Sequence, residues 1–146
     1  MTEAIKNDDV SEDDHREAES RVVMFSYKKP ENFDRPKVSV HLGRTDLLRG
    51  HVQVIHQGGE NNLHYHTGAD CMYTVLSGRI KFYGPGDEVI GECGPMEGVT
   101  FPRNARYWFD NVGEGDAELM LVQGFHDPSA KKSGRTDSKG KRHWIP

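Results

Sequence analysis

Two histidines one residue apart, His64 and His66, precede a run of alternating strand-formers in the stretch GGENNLHYHTGADCMYTVLSGRI, which begins at Gly58. In a β-strand, residues two apart project from the same face. Both imidazoles therefore point the same way, and paired neutral imidazoles can chelate one divalent transition metal. The plainer reading is two polar strand residues hydrogen-bonded inside a barrel.

The elements that must position this pair are short strands. The chain has 146 residues, enough for one domain with a real core and too few for two ordinary ones. From Arg21 onward, apolar or β-branched runs alternate with turn residues, giving candidate strands at 22–27, 37–42, 48–56, 62–66, 71–76, 79–83, 87–91, 97–101, 106–110 and 117–125. Glycine, proline, asparagine and aspartate punctuate them, and Ser77-Gly78 reads as a hairpin turn of the primed type. No stretch holds a 3.6-residue apolar period. Many short strands at regular spacing predict an all-β sandwich or barrel.

Charge divides the chain further. Residues 1–20 carry eight acids and two bases, and residues 129–146 carry six bases and one acid. An acidic N-terminal arm (1–20), a β-rich domain (21–128) and a basic C-terminal tail (129–146) follow. Ser11, with Asp14 three residues on, suits the cap of a short helix. The two arms read as solvated tails, or as partners for each other within or between subunits. His143-Trp144-Ile145-Pro146 is apolar for a tail end and is expected to dock.

A net charge of −4 argues against a general nucleic-acid binder. No apolar run approaches a membrane span, and the acidic start is the opposite of a targeting peptide. Cys71 and Cys93, with no repeated spacing, fit a reducing compartment. These features predict a soluble, cytoplasmic protein.

Gly58, His64, His66, position 71 and Gly78 are spaced as in the first signature of the cupins, which the chain resembles. Pro102, Asn104, Tyr107 and Asn111 are similar to the second signature, keeping its proline and asparagine. The resemblance implies a cupin-like double-stranded β-helix, a jelly-roll barrel. It also implies a homodimer, formed by packing sheets or exchanging an N-terminal strand, which hides a sheet edge.

By that resemblance a metal is held by the two first-signature histidines, a glutamate and a second-signature histidine. This chain keeps His64 and His66 but places Cys71 where the glutamate belongs and Tyr107 where the last histidine belongs; Asn104 replaces a glycine. A thiolate at Cys71 is a soft ligand, and with two imidazoles it favours zinc, iron or copper over magnesium or calcium; manganese stays within the candidate set. Cys71 is equally read as a small buried hydrophobe. Tyr107 is a core aromatic, a proton donor beside a metal, or a phenolate ligand.

Asp70 competes with Cys71 for the carboxylate position, and a one-residue slip turns a side chain to the other face. The distance to Gly78 favours Cys71 inward. Alternation then carries Tyr73 and Val75 inward, and Phe109 with Tyr107, predicting a cavity lined by aromatic rings for a small, possibly aromatic substrate. His41, His51, His56 and His126 are further candidates for the missing histidine, with His51 and His56 on opposite faces of one strand. Arg103 and Arg106 stand near the barrel mouth. A metal-dependent enzyme of dioxygenase, isomerase, decarboxylase or lyase type is the leading functional reading; a non-catalytic small-ligand barrel with a degenerate metal site is the alternative.

Overall fold

The computed structural model describes residues 9–137. A short helix, α1 (Glu12–Ser20), is followed by β1 (Lys37–Arg44), β2 (Leu48–Ile55), β3 (Gly59–His66), β4 (Ala69–Ser77), β5 (Ile80–Tyr83), β6 (Val89–Cys93), β7 (Gly98–Phe101), β8 (Tyr107–Asn111), β9 (Ala117–Phe125) and β10 (Arg135–Asp137). The strands pair antiparallel into two five-stranded sheets, β1-β2-β9-β4-β7 and β10-β3-β8-β5-β6. This is the expected double-stranded β-helix. The helix begins with a capping box between Ser11 and Asp14, which satisfies two otherwise unpaired backbone N–H groups. The docking proposed for residues 143–146 lies outside the described residues. Among the described residues, no helix is long and apolar enough to cross a membrane.

Alternation builds the core. Along β9, Ala117, Leu119, Leu121, Gln123 and Phe125 are buried while their neighbours are less so. On β4, Ala69, Cys71, Tyr73 and Val75 are buried, and on β8, Tyr107 and Phe109. Trp108 turns outward and stacks on Tyr83, ring centres 3.9 Å apart. Inside, Tyr73, Phe82, Phe101, Tyr107 and Phe109 interlock through tilted and stacked ring pairs. Each buried ring contributes about 1.5–3 kcal/mol, so the barrel interior is a packed core rather than an open chamber.

Three segments depart from the strand reading. Residues 22–27 have the composition of a strand but no strand partner, because β1 already forms that edge of the sheet and these residues cross its outer face instead. Tyr27 donates its hydroxyl to Glu118 at 2.6 Å and Lys29 pairs with Asp116 at 3.1 Å. Val52 and Val54, which alternate with the inward residues of β2, are also fully buried. Ser77-Gly78 is not a hairpin: β4 and β5 lie in different sheets, and the connection carries the chain across the sandwich. Gly78 sits at φ +88°, and a Cβ there would approach the Ala117 Cα to 2.8 Å, so only glycine fits. Finally, residues 135–137 of the basic tail form β10, which pairs with β3 and places Arg135 opposite His66 and Asp137 opposite His64.

His56 clasps the crossing segment, a strap of residues 22–36, to the barrel. Its Nδ1 lies 2.6 Å from Asp116 Oδ1 and its Nε2 lies 3.0 Å from the Phe33 carbonyl. The imidazole also stacks on the Phe33 ring at 3.8 Å. Both partners are acceptors, and only a protonated imidazole offers two N–H donors. The Asp116 hydrogen bond, followed by the Phe33 carbonyl, raises the His56 pKa above its ordinary value. The clasp's stabilisation is therefore complete below the unfolded histidine value of about 6.5 and is lost as pH rises through the higher folded value. His56→Gln is expected to lower the melting temperature more at pH 6 than at pH 9. A difference between the two proteins that does not change with pH would show that His56 is not charged in the clasp.

Candidate functional site

Five inward side chains from two strands frame a polar cavity of about 200 Å³ at one end of the barrel: Arg49, His51 and Gln53 from β2, His64 and His66 from β3. Gln123 of β9 borders it, and Arg135 of β10 closes one side. The histidine strand is irregular here. Glu60 pairs with Phe109, but the next pair is His64 with Tyr107, leaving residues 61–63 opposite Trp108 alone. Such a bulge frees backbone groups from the ladder and re-aims side chains. The Asn62 carbonyl accepts a hydrogen bond from His64 Nδ1 at 2.8 Å. That fixes the tautomer, leaving Nε2 with the lone pair.

The two imidazole rings meet edge-on, 5.5 Å apart and at 85°. Burial lowers the pKa of both. For His66, the neighbouring His64 and the Arg49 cation add to burial and bring the value to about 4; a hydrogen bond to the Gly134 backbone opposes them. His51 is also brought to about 4, first by burial, then by His41 and Arg49. At neutral pH all three rings are uncharged. Beside them, Glu60 forms ion pairs with Lys37 and Arg135, and Arg135 also holds Asp137.

Cys71 and Tyr107, the two signature departures, lie together just below. Cys71 faces inward and is buried. Asp70 is exposed and accepts the Arg103 backbone N–H at 2.8 Å, so the register that places Cys71 inside is the one observed. The Cys71 sulfur accepts a bond from Gln123 Nε2 at 3.7 Å, and burial pushes the thiol pKa up. Tyr107 and Tyr73 share a hydroxyl–hydroxyl hydrogen bond of 2.8 Å. Burial first, then the neighbouring Tyr73 and Cys71, raises the Tyr107 pKa beyond the usual phenol range. Cys71 is thus held as a thiol bonded to Gln123, and Tyr107 as a phenol bonded to Tyr73.

This donor set does not fit a four-ligand metal centre. His64 approaches Tyr107, ring centres 4.4 Å apart, so the four signature positions do converge. Yet among the described residues no three histidine, cysteine, aspartate or glutamate side chains are grouped to share one ion. A zinc-type site needs three or four protein donors. At the other two signature positions, Cys71 is bonded to Gln123 and Tyr107 to Tyr73.

Of the side chains expected to line a substrate cavity, Tyr73 borders the polar one. Val75 and Phe109 lie deeper, fully buried in the aromatic core, because the rings pack on one another instead of leaving space. Arg103 and Arg106 are exposed and do not border this cavity. Of the additional histidines, His51 faces it while His41, His56 and His126 are exposed. Arg49 and Gln53, missed from the sequence, share the strand parity of His51, and that parity was the available signal. Gln123 and Arg135 carried no comparable sign.

Two readouts test these assignments together. In an NMR pH titration, the His51 and His66 ring signals are expected to turn over near pH 4, and those of His56 above 6.5. Midpoints near 6.5 for His51 and His66 would mean that the cavity is open to bulk water.

A family model described as Cupin domain matches residues 51–123. No curated protein matches the chain. Among solved structures, a protein with a double-stranded β-helix domain from Klebsiella pneumoniae is 20% identical, with 85% of this chain and 96% of that one covered and a TM-score of 0.63. KdgF from Halomonas sp. is 14% identical, covering 73% of this chain and 98% of the other, with a TM-score of 0.60. A cupin-superfamily sugar phosphate isomerase from Silicibacter pomeroyi is 19% identical over 61% of this chain and 59% of that one, at a TM-score of 0.54. At these identities the likeness is one of fold.

Proposed function

The chain belongs to the cupin domain family, and we propose that it is a small-molecule-binding member whose signature positions form a polar pocket in place of a four-ligand metal centre. The observation that supports this reading is that each of the two departing positions has its own hydrogen-bond partner inside the barrel, Cys71 with Gln123 and Tyr107 with Tyr73. The third and fourth donor positions are occupied by those contacts. The ligand site is the cavity bordered by Arg49, His51, Gln53, His64 and His66. Its neutral imidazoles donate or accept hydrogen bonds without adding charge. A catalytic role for Tyr107 is disfavoured on the same grounds, since a phenol held far above neutrality exchanges its proton poorly.

A second reading, a metal-dependent enzyme acting on a small substrate, draws on one observation. The His64 Nδ1 bond to the Asn62 carbonyl is the kind of outer-shell contact that orients a metal-ligating imidazole. Elemental analysis of protein purified without chelator or nickel resin separates the two. Under the proposed reading, zinc, iron, copper and manganese stay far below one per chain, and chelator leaves the melting temperature unchanged. Near-stoichiometric metal, lost in the His64→Ala, His66→Ala double variant and weakened in Cys71→Ser, would overturn that reading and establish the second.

The proposed assembly is a homodimer. Val22, Val23, Met24 and Phe25 of the strap are all more than half exposed, and Leu48 and Met72 of the same sheet are also exposed. Val22, Val23, Phe25 and Leu48 border one groove of about 560 Å³ on the outer face. Apolar surface of this extent is usually covered by a partner, and a second copy would bury it symmetrically. Light scattering is expected to give twice the chain mass for the unaltered protein and the single-chain mass for Val23→Asp, Met24→Asp. A monomeric unaltered protein would refute the assembly. The two reduced cysteines, Cys71 and Cys93, suit the proposed cytoplasmic setting.

A further inference from the structure

Charge around the polar cavity does not cancel. Three cations, Arg49, Arg135 and Lys37, meet two carboxylates, Glu60 and Asp137. Arg135 and Lys37 are engaged with those carboxylates. Arg49 is not in an ion pair among the described residues. Its Nε and Nη2 both donate to the neutral Gln123 Oε1, at 3.0 and 2.7 Å, and its guanidinium lies 5.4 Å from the centre of the Phe125 ring. These contacts hold the fork in place and leave its positive charge uncompensated. A guanidinium presents five N–H donors in a plane that matches a carboxylate.

The strand that carries Arg49 also carries an unsatisfied polar pair. Gln53 Nε2 and His51 Nε2 approach to 3.4 Å, while Gln53 Oε1 and His51 Nδ1 are buried without a partner. In either arrangement that makes this contact a hydrogen bond, one donor and one acceptor remain unmatched. Buried polar atoms of this kind are normally satisfied. A hydroxyl satisfies both, since it donates once and accepts through its lone pairs.

We propose that the cavity binds a small organic acid carrying a hydroxyl group, its carboxylate on Arg49 and its hydroxyl on His51 and Gln53. The volume of about 200 Å³ admits a molecule of only a few carbons. This deepens the ligand-binding reading and rests on it. It assigns the ligand's charge and polarity, which the family fold leaves open.

The test uses three probes on one carbon skeleton: lactate, lactamide and propane-1,2-diol. Binding is followed on the full chain by the NMR signals of the His51, His64 and His66 rings. Lactate is expected to shift these signals saturably, with lactamide and the diol at least about tenfold weaker, as loss of a charge-assisted hydrogen bond implies. Arg49→Gln is expected to abolish the preference for lactate over lactamide, and Arg49→Lys to restore part of it. Melting temperatures and the dispersion of the remaining signals check that each variant is folded. Equal shifts with lactate and lactamide, or an unchanged preference in folded Arg49→Gln, would overturn the carboxylate assignment while leaving the pocket as a ligand site. Absence of any shift with lactate would overturn it too. The metal-free reading itself stands or falls on elemental analysis, independently of these titrations.

Discussion

Burial of two imidazoles at the end of a barrel already filled with aromatic rings sets the character of this molecule's interior. An imidazolium removed from water loses much of its hydration, so His64 and His66 stay neutral unless a partner carries opposite charge. No carboxylate is hydrogen-bonded to either ring among the described contacts; His64 instead donates to the Asn62 carbonyl. A protein that keeps such a pair uncharged has built a hydrogen-bonding surface rather than an ionic one. Among the described residues, the uncompensated charge nearby is Arg49, and it deepens the effect by lowering the His66 pKa further.

The same burial shapes the signature departures. A glutamate and a histidine can serve a cation because one is anionic and the other offers a lone pair. A thiol and a phenol do so only after losing a proton, which desolvation opposes. Here Tyr107 is bonded to Tyr73 and Cys71 to Gln123, and Gln123 passes the contact on to Arg49 at the cavity edge. Polar clusters of this kind are rigid when satisfied. The contacts couple the signature positions to the cavity without opening the barrel.

Two segments that depart from the strand reading flank the two sheets. The strap of residues 22–36 covers the outer face of one sheet and is clasped by His56, Asp116 and Phe33. On the other sheet, β10 continues the ladder beyond β3, and Arg135 reaches Glu60. Each segment is short. Their positions come from ion pairs and backbone pairing with distant parts of the chain.

By itself the sequence determined the all-β class, the strand alternation that turns Cys71, Tyr73 and Tyr107 inward, and the shared face of His64 and His66. These follow from a side-chain period of two and from glycine and proline punctuation, which are local properties. The cupin signatures were readable for the same reason, since they are spacings along one chain. What only the tertiary structure decided was the pairing of groups far apart in sequence. Whether Ser77-Gly78 folds back or crosses between sheets depends on which strands already flank β4. Whether aromatic residues line a chamber or fill it depends on how both sheets close, and Tyr73, Phe82, Phe101 and Phe109 close on each other. Arg49 reaches the His64–His66 cavity through the packing of β2 beside β9 and across from β3. Local patterning carries no record of that convergence, because it arises from contacts made only once the barrel is shut.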